Sequence, residues 1–177
     1  HFCGKAGLDI DALGEKTLVL LLEKQWIHSP VDLFTLDWDR LNGVPGFAAK
    51  KIAKLKQSLE LARSQPFARV LAALGLESLG PAAIEALLSG GFPSRESLVA
   101  AAKRGDPAVF TSVPGIGPIL AESLIRQFTD PEVLALLANL EKLGLAMAQA
   151  KTVPNPANGT MAGQEWVITG TFASFVP

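Results

Sequence analysis

The sequence predicts an all-α fold of four tandem helical hairpins in two pairs, followed by a short truncated β segment. Three observations carry this. One turn-and-helix pattern recurs four times along the 177 residues. The stretches between its copies open on helix-capping signals and keep helical spacing. Only beyond residue 160 does the chain turn to β-branched and aromatic residues at strand length.

The repeat aligns on Gly14, Ala48, Gly80 and Gly117, at spacings of 34, 32 and 37 residues. Four positions earlier stand Ile10, Val44, Leu76 and Val113, and one position earlier Leu13, Phe47, Leu79 and Ile116. Four positions later come Leu18, Ile52, Ile84 and Ala121, and seven later Leu21, Leu55, Leu87 and Leu124. Offsets of four and seven share one helical face, so each copy is a short turn followed by an amphipathic helix. Two positions before the anchor the residues are Ala12, Gly46, Ser78 and Gly115, all small. Val113-Pro114-Gly115-Ile116-Gly117-Pro118 is the clearest copy. Its glycines permit a positive φ and a close approach of another backbone. Pro81 and Pro118 suit the first helical position, where a missing N–H costs nothing.

In chain order, the first repeat helix is expected over Glu15–Trp26. Ser29-Pro30 opens a connecting helix with Asp32 in its first turn. The second repeat helix is expected over Ala49–Arg63, and Gln65-Pro66 then separates residues 1–65, the first pair, from 66–150, the second. The third repeat helix is expected over Pro81–Leu88. Ser94 caps another connecting helix, and the fourth repeat helix spans Pro118–Phe128. Asp130-Pro131 starts a last helix that runs to about Leu143, with Gly144 as its stop. Residues 151–160, with Pro154, Asn155, Pro156 and Asn158, read as a linker. Glu165–Phe172 reads as one buried strand within a segment 161–177. A lone strand is not stable, so 161–177 is expected to be the poorly ordered start of a further domain.

Composition narrows the function. Apolar residues are 49% of the chain, which excludes wholesale disorder. Sixteen Lys and Arg balance 17 Asp and Glu, for a net charge of −1. Any nucleic-acid binding is therefore local and not an effect of bulk charge. A single cysteine excludes a disulfide framework and a Cys-rich zinc site. No apolar run reaches the ~18–20 residues of a membrane span, and no signal peptide is recognisable. The chain begins with His1, which reads as a piece of something longer.

Paired hairpins of this kind, helix-hairpin-helix units, are a way to hold DNA. Each presents backbone N–H groups at a helix N-terminus, a ready anion site that needs no large positive charge. The grip would fall on phosphates and be largely independent of sequence. The candidate DNA contacts are Gly14 and Lys16 in copy one, Gly46, Phe47, Ala48, Lys50 and Lys51 in copy two, and Gly80 in copy three. Copy four adds Gly115, Ile116, Gly117 and Ile119. Copy four has the best turn chemistry and copy two the best charge. Copy three has no basic residue between Gly75 and Gly91 and reads as structural. Ala12, Ala48 and Ser78 depart from glycine. Alanine tolerates a positive φ poorly, so those copies use a different turn, or pack in place of binding.

Other residues have plainer readings. Arg126 lies nine residues past Gly117 and is expected to be a surface residue. His28 belongs to a turn, and Trp26 and Trp38 to the core or to a contact between domains. Asp9 and Asp11 have no neighbouring His or ligand partner and suit turn roles. Three functions stay open. The first is a duplex-DNA grip. The second is a helical scaffold or protein-interaction domain whose hairpins only pack helices. The third is a hairpin module of another repair protein, such as an excision nuclease or a junction-binding factor; the strand-like start after the linker argues against it.

The order of motifs resembles the C-terminal region of bacterial NAD-dependent DNA ligases. His1-Phe2 followed by Gly7–Lys16 resembles the stretch after that family's zinc finger. Pro30–Phe34 with Leu41–Phe47 is similar to its second hairpin region, and Phe67–Leu76 to its junction between hairpin pairs. Trp166–Phe172 is similar to the first strand of the BRCT domain that follows. The resemblance implies a parent that seals nicks in duplex DNA in replication and repair, with NAD as adenylate donor, a lysine nucleophile and magnesium. It implies upstream adenylation, OB and zinc-finger domains in the same chain, and a cytoplasmic, nucleoid-associated protein. No catalytic residue, metal ligand or cofactor site of that parent is expected here. The chain has no Lys-x-Asp-Gly adenylation motif, and Cys3 falls just past the family's zinc cysteines, as a small, partly buried residue.

Overall fold

The repeat helices form where apolar residues return every three or four positions and nothing in the run breaks the backbone. The computed structural model describes residues 1–150. The linker at 151–160 and the strand reading within 161–177 lie outside the described residues. Within them the regular structure is helical: α1 (Glu15–Glu23), α2 (Asp32–Thr35), a 3-10 turn at Trp38–Leu41, α3 (Ala49–Arg63), α4 (Phe67–Leu74) and α5 (Pro81–Ser89), then α6 (Arg95–Lys103), α7 (Ala108–Thr111), α8 (Pro118–Thr129) and α9 (Pro131–Lys142). The repeat helices are α1, α3, α5 and α8, and each begins just after its anchor. The element before each hairpin differs. Copy three has the full helix α4, copy four the single turn α7 and copy two the 3-10 turn, while copy one has only consecutive turns over residues 1–13.

The core follows the repeat register. Leu21, Leu55, Leu87 and Leu124, seven residues past each anchor, are all 0% exposed. Leu13, Phe47, Leu79 and Ile116, one residue before it, are buried. Together with Phe67, Phe110 and Phe128 they belong to one apolar cluster that runs through both pairs. In the second pair α6 packs along α8, and α4 against α5. The segment after α9 turns back to α6, where Arg95 N–H donates to Met147 O at 2.8 Å and Gln149 N–H to Pro93 O at 2.8 Å.

Helix ends differ from expectation in four places. α1 stops at Glu23, not Trp26. Gln25 turns left-handed at φ 54, so its N–H reaches Leu22 O and the Trp26 N–H reaches Leu21 O, both at 2.9 Å. That pair of reverse bonds satisfies carbonyls the helix leaves open. α5 and α8 each run one residue further than expected. Ser29 does not cap α2 with its side chain. Asp32 reaches back instead, and its Oδ2 accepts from His28 N–H at 2.7 Å and Ser29 N–H at 2.8 Å. The expected caps at Ser94 and Asp130 are present, Ser94 in a reciprocal box with Ser97, and α9 ends at Lys142.

The His28 amide, ahead of the smaller opposing effect of burial, holds the Asp32 carboxyl below its ordinary 3.8. A lowered folded value means stability that is present above pH 3.8 and lost as pH falls through the folded value. Asp32→Ala is expected to cost about 1 kcal/mol at neutral pH, as loss of a helix-start acceptor does. It should also flatten the stability decline below pH 3.8; urea unfolding at pH 7 and pH 3 checks both.

Candidate nucleic-acid interface

The four hairpins share one backbone turn. The residue two before the anchor is left-handed in every copy: Ala12 at φ 63, Gly46 at 85, Ser78 at 63 and Gly115 at 90. In each copy the N–H one before the anchor closes the turn on the carbonyl four before it: Leu13 to Ile10 (3.4 Å), Phe47 to Val44 (3.0 Å), Leu79 to Leu76 (3.1 Å) and Ile116 to Val113 (3.1 Å). The expectation that Ala12 and Ser78 impose a different turn is therefore corrected. Two non-glycine residues thus stand where glycine is easier. The anchors themselves are extended, at φ −81 (Gly14), −73 (Ala48), −81 (Gly80) and −84 (Gly117). Ala48 thus meets no penalty for replacing glycine.

The two kinds of copy are braced differently. Copies two and four place Pro45 and Pro114 before their glycine, a pairing that presets such a turn. Copies one and three place an acid there, and a helix of the partner hairpin holds it. Asp11 accepts from Ala12 N–H at 2.7 Å and pairs with Lys54 Nζ of α3 at 2.6 Å, which keeps its carboxyl below the ordinary value, the Lys54 bond first. Glu77 pairs with Arg126 of α8. Its N–H donates to Gln127 Oε1 at 2.7 Å, and its carbonyl accepts from Gln127 Nε2 at 3.1 Å and Ser123 Oγ at 3.4 Å.

The helix N-termini behind these turns are bare. None of α1, α3, α5 and α8 has a side-chain cap, whereas α6 and α9 are capped by Ser94 and Asp130. The anchor and the next two residues of every copy are exposed. Four helix N-termini thus turn partial positive charge to solvent. Pro118 and Pro81 each remove one amide donor, so copies three and four offer fewer than one and two.

Gly14, Lys16, Gly46, Ala48, Lys50, Gly80, Gly115 and Gly117 are exposed, and Ile119 is 82% exposed. The Phe47 and Ile116 side chains are buried, which leaves only their backbone for an outside ligand. Lys51 is half-buried; its Nζ lies 3.9 Å from the Phe47 ring centre and 3.3 Å from Gly46 O, donating to that carbonyl. Lys54 and Lys56 are taken by Asp11 and Asp39. Lys50 has no carboxylate partner among the described residues. It stands two past its anchor, in the register of Lys16, Ala82 and Ile119.

Arg126 is exposed but bound to Glu77. Trp38 is buried with its Nε1 donating to Leu33 O at 3.2 Å, and Trp26 is half-buried. His28 sits in the turn that Asp32 caps, and Asp9 is a left-handed turn residue at φ 52. Sequence reasoning missed the bracing by Ser123 and Gln127, which lie 46 and 50 residues from Glu77. No local spacing signals contacts of that range. Among the described residues no three His, Cys, Asp or Glu side chains come together as a metal site. Burial pushes the Cys3 thiol up to about 11, more than the N-terminal charge lowers it, which leaves a protonated, poor metal ligand. No described helix is long and apolar enough to cross a membrane.

Residues 8–61 and 70–130 each match the SAM-like helix-hairpin-helix tandem family, one match over hairpins one and two, the other over three and four. The chain is also similar to proteins named DNA ligase. It is 32% identical to one from Borrelia hermsii over 99% of this chain and 26% of that protein. It is 31% identical to one from Roseiflexus castenholzii over 98% and 24%, and 31% identical to one from Leptospira biflexa over 99% and 26%. The chain spans about a quarter of the length of the curated relatives it matches.

Proposed function

The chain belongs to the SAM-like helix-hairpin-helix tandem family, and from that premise we propose that it is the duplex-DNA-binding module of an NAD-dependent DNA ligase. Its hairpins grip the phosphate backbone, without reading sequence, and help to hold a nick for sealing. The observation that carries this is the set of four exposed, uncapped helix N-termini behind one shared turn. In the first pair, Lys16 and Lys50 add charge beside the amides.

Each hairpin would act through its own backbone. The amides of the anchor and first helical turn donate to a phosphate oxygen, and the extended anchor keeps side chains out of the way. Gly14, Gly80 and Gly117 offer no Cβ there, and among the described residues a Cβ at any of them would meet no atom within 4 Å beyond its chain neighbours. That space is open for a ligand. NAD, magnesium and zinc belong, in this proposal, to upstream adenylation, OB and zinc-finger domains. This chain lacks the adenylation motif and is not expected to form an adenylate by itself. A cytoplasmic, nucleoid-associated place in the cell goes with the same reading.

Fluorescence anisotropy with nicked and intact duplex over a salt series tests the proposal. The chain should bind both, with log affinity falling by roughly 0.9 per phosphate contact per log unit of salt. Gly117→Val is the most informative variant. Its backbone is extended and its surroundings are open, so the fold should be kept while the new side chain covers the copy-four amides. Affinity is expected to fall several-fold with an unchanged unfolding curve. Absence of binding even at low salt would favour the helical-scaffold reading.

A further inference from the structure

Away from the hairpin tips, two cations from different elements meet on one aromatic ring. The Arg40 guanidinium carbon, in the 3-10 turn, lies 4.7 Å from the Trp26 ring centre, and Lys24 Nζ, at the end of α1, lies 5.4 Å from it. Arg40 and Lys24 are exposed, and Trp26 is half-buried. Neither cation has a carboxylate within ion-pair distance among the described residues. Asp39, next to Arg40, is taken by Lys56 at 2.7 Å.

Each cation lies within cation–π range of the same Trp26 ring. The ring attracts each of them by roughly 0.5–1 kcal/mol at an exposed site. Two exposed cations are thus held at one ring. The Trp26 ring limits the freedom of both side chains, so less entropy is lost when a ligand binds. Its position suggests the ligand. Arg40 directly precedes Leu41, whose carbonyl receives the Val44 N–H of hairpin two. Arg40 is six residues before Gly46, which bounds their separation at roughly 20 Å even for extended chain, and the closed turn between them shortens it. One strand of duplex places a phosphate charge every ~3.4 Å of axis. Arg40 therefore lies within the span of a few phosphates of hairpin two.

We propose that Lys24 and Arg40, seated on Trp26, form a second phosphate-binding site for duplex DNA beyond the hairpin tips, extending the footprint of hairpin two. This rests on the DNA-binding function proposed above. The site carries no hydrogen-bond readout of bases and adds affinity, not sequence preference.

The test is anisotropy on the whole chain with duplex DNA over a salt series, comparing wild type, Lys24→Gln/Arg40→Gln and Lys50→Gln. The double variant is expected to bind several-fold more weakly, with a salt slope shallower by about 1–2 and no change in relative affinity among duplexes of different sequence. Trp26→Leu, which removes the seat and keeps both charges, should give a smaller loss of affinity with most of the slope retained. A double variant that binds like wild type, while Lys50→Gln weakens binding, overturns the second site and leaves the hairpin grip standing. Wild type that binds no duplex at any salt overturns both. Far-ultraviolet circular dichroism of each variant separates loss of binding from loss of fold.

Discussion

Gly115→Val is expected to destabilise the chain by about 2 kcal/mol and to lower its affinity for duplex DNA by tenfold or more. Gly115 stands at φ 90, where an L side chain costs ~1–2 kcal/mol and a β-branched one is an outlier. Among the described residues a Cβ there would meet nothing within 4 Å beyond its chain neighbours, so the penalty comes from the backbone and not from a clash. Relief requires the turn to open. That loosens Val113 and Ile116, which are buried on either side, and tilts the bare start of α8. Gly115→Ala should cost about half as much, since Ala12 takes φ 63 in copy one. The comparison with Gly117→Val is decisive. One variant perturbs the turn and the other only its surface, so Gly115→Val moves both the unfolding midpoint and the affinity, and Gly117→Val moves the affinity alone. Equal unfolding midpoints for the two would contradict this account.

Arg63→Ala is expected to cost about 2–4 kcal/mol. Arg63 ends α3, and its guanidinium joins the two halves of the chain. Nη2 donates to Phe34 O at 2.9 Å and Nη1 to Leu143 O, just past α9. Nε pairs with Glu60 at 3.2 Å, and the group stacks 5.3 Å from the Phe34 ring centre. Hydrogen bonds to a charged group contribute ~1.5–3 kcal/mol each, and the side chain is only 26% exposed, so water replaces them incompletely. Arg63→Lys should recover little, since an ammonium cannot span both carbonyls as the planar fork does. Urea unfolding of the two variants checks the size of the loss. Amide exchange adds a test of place: faster exchange in α9 as well as α3 is expected, and exchange confined to α3 would show that Arg63 does not tie the halves.

Much of this was legible because the informative interactions are short in range. α3 spans the expected Ala49–Arg63, and every repeat helix starts directly after its anchor. A helix start depends on the residue at the cap, the proline after it and the apolar spacing of the next two turns, all within about ten residues. The all-α class and the residues that carry the core follow from the same periodicity. The end of α1 was not legible. Gln25 is an ordinary helix former, yet it turns left-handed and the Trp26 N–H returns to Leu21 O.

What the sequence by itself determined is the repeat: four turns, four amphipathic helices, and small residues wherever the backbone must reverse. What only the tertiary structure decided is how the turns are held and which charges remain free. Ala12 and Ser78 copy the glycine turn with Lys54, Ser123, Arg126 and Gln127 sitting against the acids beside them, 43 to 50 residues from those acids along the chain. Of the lysines that look alike along α3, two are neutralised by Asp11 and Asp39, one folds onto Phe47, and Lys50 has no carboxylate partner among the described residues. Lys24 and Arg40 meet on Trp26 although 16 residues separate them. Hydrophobic spacing is a property of one segment, whereas the pairing of charges depends on which segments the fold brings face to face. The pattern of either segment alone does not contain it.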